Sequence, residues 1–212
     1  FGAVEAQGIR AVIAADIAEA AALGCRVRLV GVAEEGAPGT GGGLFQRVHP
    51  HLVPLDHPLA HVTGSTNAVV AEGDHVGRLF FQGAGAGEGP TASAVVADLI
   101  DIARGEYGAA FAMPAEALSE AGTADSGERR GRAFLRFTVE DRVGVLAEIA
   151  AAMRDAGVSI ESLFQRGAAI GGGVLVTIVT HEGPERCVAQ ALERLRGSQS
   201  LVGQPLWMPI LE

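Results

Sequence analysis

Three groups of residues in this 212-residue sequence have types and spacings that could do chemistry. The first lies in residues 80–100, FFQGAGAGEGPTASAVVADLI, where an apolar strand-like run meets Gly83, Gly85, Gly87 and Gly89 and then an amphipathic helix. Bare amides ahead of a helix N-terminus can hold a phosphate, because unsatisfied N–H groups and the positive helix end face the anion together. The spacing G-A-G-A-G-E-G is not a dinucleotide fingerprint, and no acidic residue closes a βαβ unit about twenty positions later. On residues alone a flexible helix entry is favoured, with a phosphate or cofactor contact as the alternative. The second group is His49, His51, His57 and His61. They lie next to or near prolines, with no His-Glu pair at helical spacing to make them converge, so backbone-capped loop histidines are expected and no metal site. The third is Asp141-Arg142-Val143-Gly144, ahead of a helix pattern. Glycine there permits a tight turn and leaves the helix N-terminus open to a carboxylate or an amino-acid ligand. Local chemistry does not separate that role from simple turn-making.

What is missing narrows the chemistry further. All sixteen basic residues are arginine, so an ammonium acid or a Schiff base would have to come from other polypeptide. The net charge of −9 argues against a phosphate-backbone or anionic-membrane surface. Cys25 and Cys187 follow no redox or metal spacing and read as small buried hydrophobes in a reducing compartment. No apolar run reaches 18 residues and no secretory pattern opens the chain, so a cytoplasmic protein without a membrane span is expected. The first residue is Phe1, inside a helix-to-loop pattern, which leads us to expect a missing N-terminal part.

The elements that must position these residues follow from periodicity. Residues 8–22 place Ile9, Val12, Ile13, Ile17 and Ala20 at helical spacing with Asp16 and Glu19 opposite, and Gly24 is the expected stop. Residues 26–33 alternate as a strand, and residues 36–43, GAPGTGGG, are expected to be a mobile turn or loop. Pro50, Pro54 and Pro58 predict an ordered irregular loop over residues 48–62. Residues 65–71 and 76–82 read as strands joined by a Glu72-Gly73-Asp74 turn, the whole forming one sheet with a long crossover. Residues 91–104 are predicted helical, with Thr91 as N-cap or first-turn residue. Residues 106–131 are Ala, Gly, Glu and Ser rich and read as a linker, partly helical near 114–120. Beyond it the pattern is β-α-β-β-α-β. Its helices span 145–156, with Leu146, Ile149, Ala150 and Met153 inward, and 184–196, with Val188, Ala191, Leu192 and Leu195 inward. This is the ferredoxin-like arrangement.

Three segments of the first half, GIRAVIAADIAEAAALGCRVRLVGVA, VHPHLVPLDHPLAHVTGSTNAVVAEGD and FFQGAGAGEGPTASAVVADLIDIA, resemble the distal catalytic region of homoserine dehydrogenase. DRVGVLAEIAAAMRDAGVSIESLFQ, within residues 133–212, resembles an ACT domain, an amino-acid-sensing module, with Val143 where that family commonly has proline. His51 and His61 also depart from the family's usual loop residues. The implied fold class is α+β / α/β: a partial mixed-sheet dehydrogenase substrate domain over 1–105, a linker over 106–131, and a βαββαβ ACT domain over 132–212. The resemblance implies NAD(P)-dependent interconversion of L-homoserine and L-aspartate 4-semialdehyde in threonine and methionine biosynthesis, with the nucleotide-binding domain and catalytic lysine upstream. This chain alone is then expected to be inactive. By the same resemblance Gly85 or Gly87, preferably Gly87, contacts the cofactor, and residues 67–71 carry a homodimer sheet. Asp141 and Gly144 sit beside an amino-acid effector, threonine by expectation. The competing expectation is a stand-alone amino-acid-binding module without catalysis.

Overall fold

In the computed structural model, β1 (Glu5–Ala6) leads through a 3-10 turn at Ile9–Ala11 to helix α1 (Ala14–Ala22) and then to the long strands β2 (Cys25–Glu35) and β3 (Leu44–Pro54). After a 3-10 turn at Pro58–His61 come β4 (Asn67–Gly73), β5 (Gly77–Gly83) and helix α2 (Glu88–Arg104). The remaining elements are β6 (Arg130–Val139), α3 (Val145–Asp155), β7 (Ile160–Ala168), β8 (Val174–Thr180), the short β9 (Gly183–Pro184), α4 (Glu185–Leu195) and β10 (Leu206–Ile210). Residues 4–36, 43–106, 108, 111, 113–168 and 173–212 are described, so the tips of the β2–β3 and β7–β8 connections and part of the expected linker lie outside them. The chain divides into two compact units, residues 1–55 with 122–212, and residues 56–121.

In the larger unit one mixed sheet runs β1-β3-β10-β6-β8-β7, with β2 also on β3 and β9 on β6. The stretch β10-β6-β8-β7 is the 4-1-3-2 order of a ferredoxin-like module, as the βαββαβ pattern requires. Alternation along β6 sends Leu135, Phe137 and Val139 to one face, where α3 and α4 cover them through Val145, Ile149, Met153, Val188, Ala191 and Leu195. The inward stripe of α3 is rotated from the expected one: Val145 and Ala152 are buried, whereas Leu146 and Ala150 are exposed. The opposite face is closed as well, because Phe134, Val179, Leu206, Met208 and Ile210 pack with Ala20, Cys25 and Leu52.

That second core explains why residues 8–22 differ from expectation. The helix begins only at Ala14, and Asp16, assigned by pattern to the solvent side, is 1% exposed. Its carboxylate accepts from Arg136 Nε at 2.9 Å and from the Ile13 N–H at 2.8 Å, while Arg136 Nη2 donates to the Ala11 carbonyl at 2.9 Å. Ile9, Ile13 and Ile17 are exposed instead. Burial pushes the Asp16 carboxyl above its ordinary value, against the lowering pull of Ile13 and Arg136.

The prolines of residues 48–62 do not make an irregular loop: Pro50 and Pro54 lie in a strand with partners on both sides, and Pro58 opens a 3-10 turn. Hydrogen-bonding direction reconciles proline with this position. Gln7 N–H donates to the Val48 carbonyl and Leu211 N–H to the Leu52 carbonyl, so the even residues of β3 turn their polar groups away from β2. Pro50 falls where β3 changes partner from β1, paired at Arg47 and Val48, to β10, paired at Leu52, and its missing donor costs no ladder bond.

A chain of charges ties the two ends of this unit together. Arg47 Nη1 and Nη2 donate to the two carboxylate oxygens of Glu185 at 3.0 and 2.6 Å, and Arg47 Nη2 also donates to Glu5 at 2.8 Å. Arg129 reaches Glu185 at 3.0 Å and grips both oxygens of Glu34 at 2.9 Å each. Arg47 and Glu185 are buried, and the Arg47 guanidinium lies 4.8 Å from the Phe45 ring centroid.

In the smaller unit β4 and β5 pair antiparallel from Asn67↔Gly83 to Gly73↔Gly77. They form a two-stranded sheet of their own, so the expected single sheet with a crossover is not formed. Helix α2 starts at Glu88 with Gly87 as N-cap, one turn before Thr91. Pro90 does not delay it, because a first-turn N–H has no intrahelical partner to lose.

Candidate functional site

The glycine loop between β5 and α2 is shaped by two backbone angles that side chains rarely adopt, φ +62° at Gly85 and +117° at Gly87. At Gly85 space is limiting too: a Cβ would come within 2.2 Å of Asn67 Nδ2. Asn67 opens β4 opposite Gly83, and its Nδ2 donates to the carbonyls of Ala84 at 3.2 Å and Ser65 at 3.3 Å. The side chain therefore holds the loop from beneath, and Thr91 N–H closes the first turn on the Gly87 carbonyl at 3.1 Å. The amides of Glu88 and Gly89 open α2 without an intrahelical acceptor and can meet one from outside. Glu88 adds a carboxylate to that same first turn, and Arg78, on β5, is engaged by Glu72 at 2.5 Å. The loop thus suits close backbone approach to an uncharged part of a ligand better than neutralisation of a phosphate.

The second loop joins β6 to α3. Gly144 is the N-cap of α3 at φ +96°, and a Cβ there would meet nothing within 4 Å, so the backbone angle, not space, calls for glycine. Asp141 lies three residues earlier in the same exposed loop, and Val143 is 100% exposed. The loop rests on residues 198–202: Ser200 carbonyl accepts from Glu140 N–H at 3.0 Å, and Val202 N–H donates to the Thr138 carbonyl at 2.7 Å. One turn into α3, Glu148 accepts from Ser198 Oγ at 2.5 Å and from Ser200 Oγ, which in turn accepts from Arg142 Nη2 at 2.6 Å. The two serine hydroxyls hold the Glu148 carboxyl below its ordinary value. Sequence reasoning missed Glu148, Ser198 and Ser200, whose only signal is an acidic residue in the first turn and a Ser-x-Ser pair some fifty residues on.

His49, His51 and His57 each have a backbone partner, and two of these three sit on a strand. His49 Nδ1 meets the Pro50 carbonyl at 2.9 Å, His51 Nδ1 meets the His49 carbonyl at 2.8 Å, and His57 Nδ1 accepts from Leu59 N–H at 3.2 Å. Among the described residues no three His, Cys, Asp or Glu side chains gather as a metal site would require. No described helix is long and apolar enough to cross a membrane. Both glycine loops offer recognition chemistry: amides, a fixed backbone path and nearby carboxylates.

Residues 1–100 match the family model described as homoserine dehydrogenase, and residues 133–197 match the ACT domain. A homoserine dehydrogenase of Pseudomonas aeruginosa is 35% identical over 210 residues, 96% of this chain and 48% of its own length. One of Corynebacterium glutamicum is 37% identical over 194 residues, covering 91% of this chain and 43% of the relative. The crystal structure of a homoserine dehydrogenase from Thiobacillus denitrificans superposes with a TM-score of 0.84 at 30% identity, over 100% of this chain and 48% of that one. The chain therefore spans about half the length of the relatives it matches.

Proposed function

The chain belongs to the homoserine dehydrogenase family and carries an ACT domain, and from that premise we propose that it forms the substrate-side and regulatory part of an NAD(P)-dependent oxidoreductase. The reaction is interconversion of L-homoserine and L-aspartate 4-semialdehyde in cytoplasmic threonine and methionine biosynthesis. The sequence modules are 1–105, 106–131 and 132–212, and the working state is at least a homodimer. The observation that supports this reading best is that one relative aligns over 210 residues, through both glycine loops.

Bound NAD(P) would supply the hydride acceptor or donor. This chain's part is positional: Gly85 and Gly87 bring bare backbone close to the cofactor, and Asn67 fixes their path from below. The C-terminal module takes an amino-acid effector, threonine by preference, at the Asp141 to Gly144 loop. The amides at the start of α3 face its carboxylate, and the serine-held Glu148 faces its ammonium.

The test joins this chain to the remaining half of the P. aeruginosa relative and follows homoserine-dependent reduction of NADP. Activity in the joined protein, absent from the isolated chain and lowered by Gly87→Val, is the expected result. No activity in the joined protein, beside an active native relative, overturns the enzyme reading. The match of residues 133–197 to the ACT domain carries a second reading, an amino-acid-binding module without catalysis. It predicts L-threonine binding by the isolated chain, sensitive to Gly144→Asp, with no activity in the joined protein.

A further inference from the structure

At the end of the large sheet away from the Asp141 to Gly144 loop, a cleft of about 220 Å³ opens between the α1–β2 turn and the first residues of β6 and β7. Its apolar floor comes from Leu52, Val179 and Ile210, which are contributed by three different strands. Arg132 and Glu161 line it, each a little over one-third exposed. Their ion pair is lopsided: Arg132 Nε and Nη2 both donate to Glu161 Oε2, at 3.0 and 2.5 Å. Arg132 Nη1 and Glu161 Oε1 make no hydrogen bond among the described residues. One unused donor and one unused acceptor of opposite charge are thus held side by side over an apolar floor.

We propose that this cleft binds a small aliphatic α-amino acid as its zwitterion, with the carboxylate on Arg132, the ammonium on Glu161 and the side chain on Leu52, Val179 and Ile210. A plain anion meets the Glu161 charge and a plain cation meets the Arg132 charge, so both are disfavoured. A molecule carrying both charges a few ångströms apart satisfies both groups without breaking their pair. Leu23 and Gly24, at the C-terminal end of α1, form a further wall. The volume lies below the roughly 300–1,000 Å³ of sites for drug-sized ligands and suits a metabolite of amino-acid size. Its walls come from both the first-half strands and the ACT strands, so occupancy would fasten the two to each other. The site stands apart from the Asp141 to Gly144 loop and does not rest on that reading.

Calorimetric titration of the full 212-residue chain with L-valine tests this, together with methyl chemical shifts. Saturable binding is expected, weakened at least tenfold by Arg132→Gln and by Glu161→Gln and retained in Gly144→Asp. L-Valinamide and N-acetyl-L-valine, each lacking one charge, should compete at least tenfold more weakly. In the wild-type chain the methyl shifts of Leu52, Val179 and Ile210 should move with saturation, which decides the matter even if a variant fails to fold. The absence of saturable binding at millimolar L-valine, or shifts confined to α3 and its preceding loop, overturns the proposal. Binding lost in Gly144→Asp but unchanged in Arg132→Gln overturns it as well and leaves the loop reading intact.

Discussion

His51 donates from Nδ1 to the His49 carbonyl, while its buried Nε2 has no hydrogen-bond partner among the described residues. Burial, reinforced by the nearby positive charges of Arg129 and Arg47, pushes this imidazole down to about 4. A histidine whose folded value is depressed contributes stability that is fully present above its unfolded value near 6.5 and is lost as pH falls toward 4. Across that window the unfolded chain carries about one more proton, which corresponds to a loss of about 3 kcal/mol at about 1.4 kcal/mol per pH unit. Urea unfolding of the wild type and His51→Asn at pH 7 and pH 4.5 should therefore differ in slope, with the variant losing less on acidification. Equal slopes would place the acid sensitivity on other groups. Gly85 gives a second residue-scale test. Gly85→Ala forces a side chain into φ +62° and drives Cβ against Asn67, so a loss of about 1–3 kcal/mol is expected, with faster amide exchange at the start of α2. Adding Asn67→Ala should relieve the collision and leave the backbone strain.

At the level of elements, Glu185 at the first position of α4 is the joint between the ACT helices and strands β1 to β3, because it serves two guanidiniums at once. Glu185→Ala leaves Arg47 buried without its bidentate partner, for which a loss of about 3–5 kcal/mol is expected in chemical unfolding. The paired replacement of Arg47 and Glu185 by methionine should cost much less, since a buried pair gains little over apolar packing of similar volume. This joint was not legible in the sequence, where its members stand 138 residues apart. Asp16 was misread for the same reason: its polar type fitted a solvent face until Arg136, 120 residues away, supplied a partner. By contrast, the order of β6, β7, β8 and β10, helices α3 and α4, and the Gly24 and Gly144 turns were legible, because short periods and positive-φ glycines are local signals. Proline in β3 misled because the rule concerns a lost donor, and only the sheet order reveals that the donor has no acceptor there. Of the candidate loops, the glycines could be read locally, whereas the Glu148 and serine support could not.

For the molecule as a whole, the most informative surface is one that the described chain leaves uncovered. Helix α2 buries none of its residues, and Val95, Val96, Leu99, Ile100 and Ile102 are each 44–58% exposed although their spacing is that of a core stripe. Phe81 of β5 and Val69 of β4 are more than half exposed as well. A helical stripe of this kind marks an interaction face, since burying each aliphatic side chain is worth on the order of 1.5–3 kcal/mol. Relatives of about twice this length provide a candidate cover, the half that this chain does not span. A charge placed on the stripe separates the possibilities. Leu99→Glu should change the stability of the isolated chain by no more than about 0.5 kcal/mol, because that side chain is already in water. In the chain joined to the remaining half of the P. aeruginosa relative, the same substitution should lower homoserine-dependent activity at least tenfold, as the new carboxylate would have to be buried. Should activity survive while sedimentation shows that Leu99→Glu turns a dimer of the isolated chain into a monomer, the stripe belongs to a contact between two copies. The half of those relatives that this chain does not span would then have to engage another face.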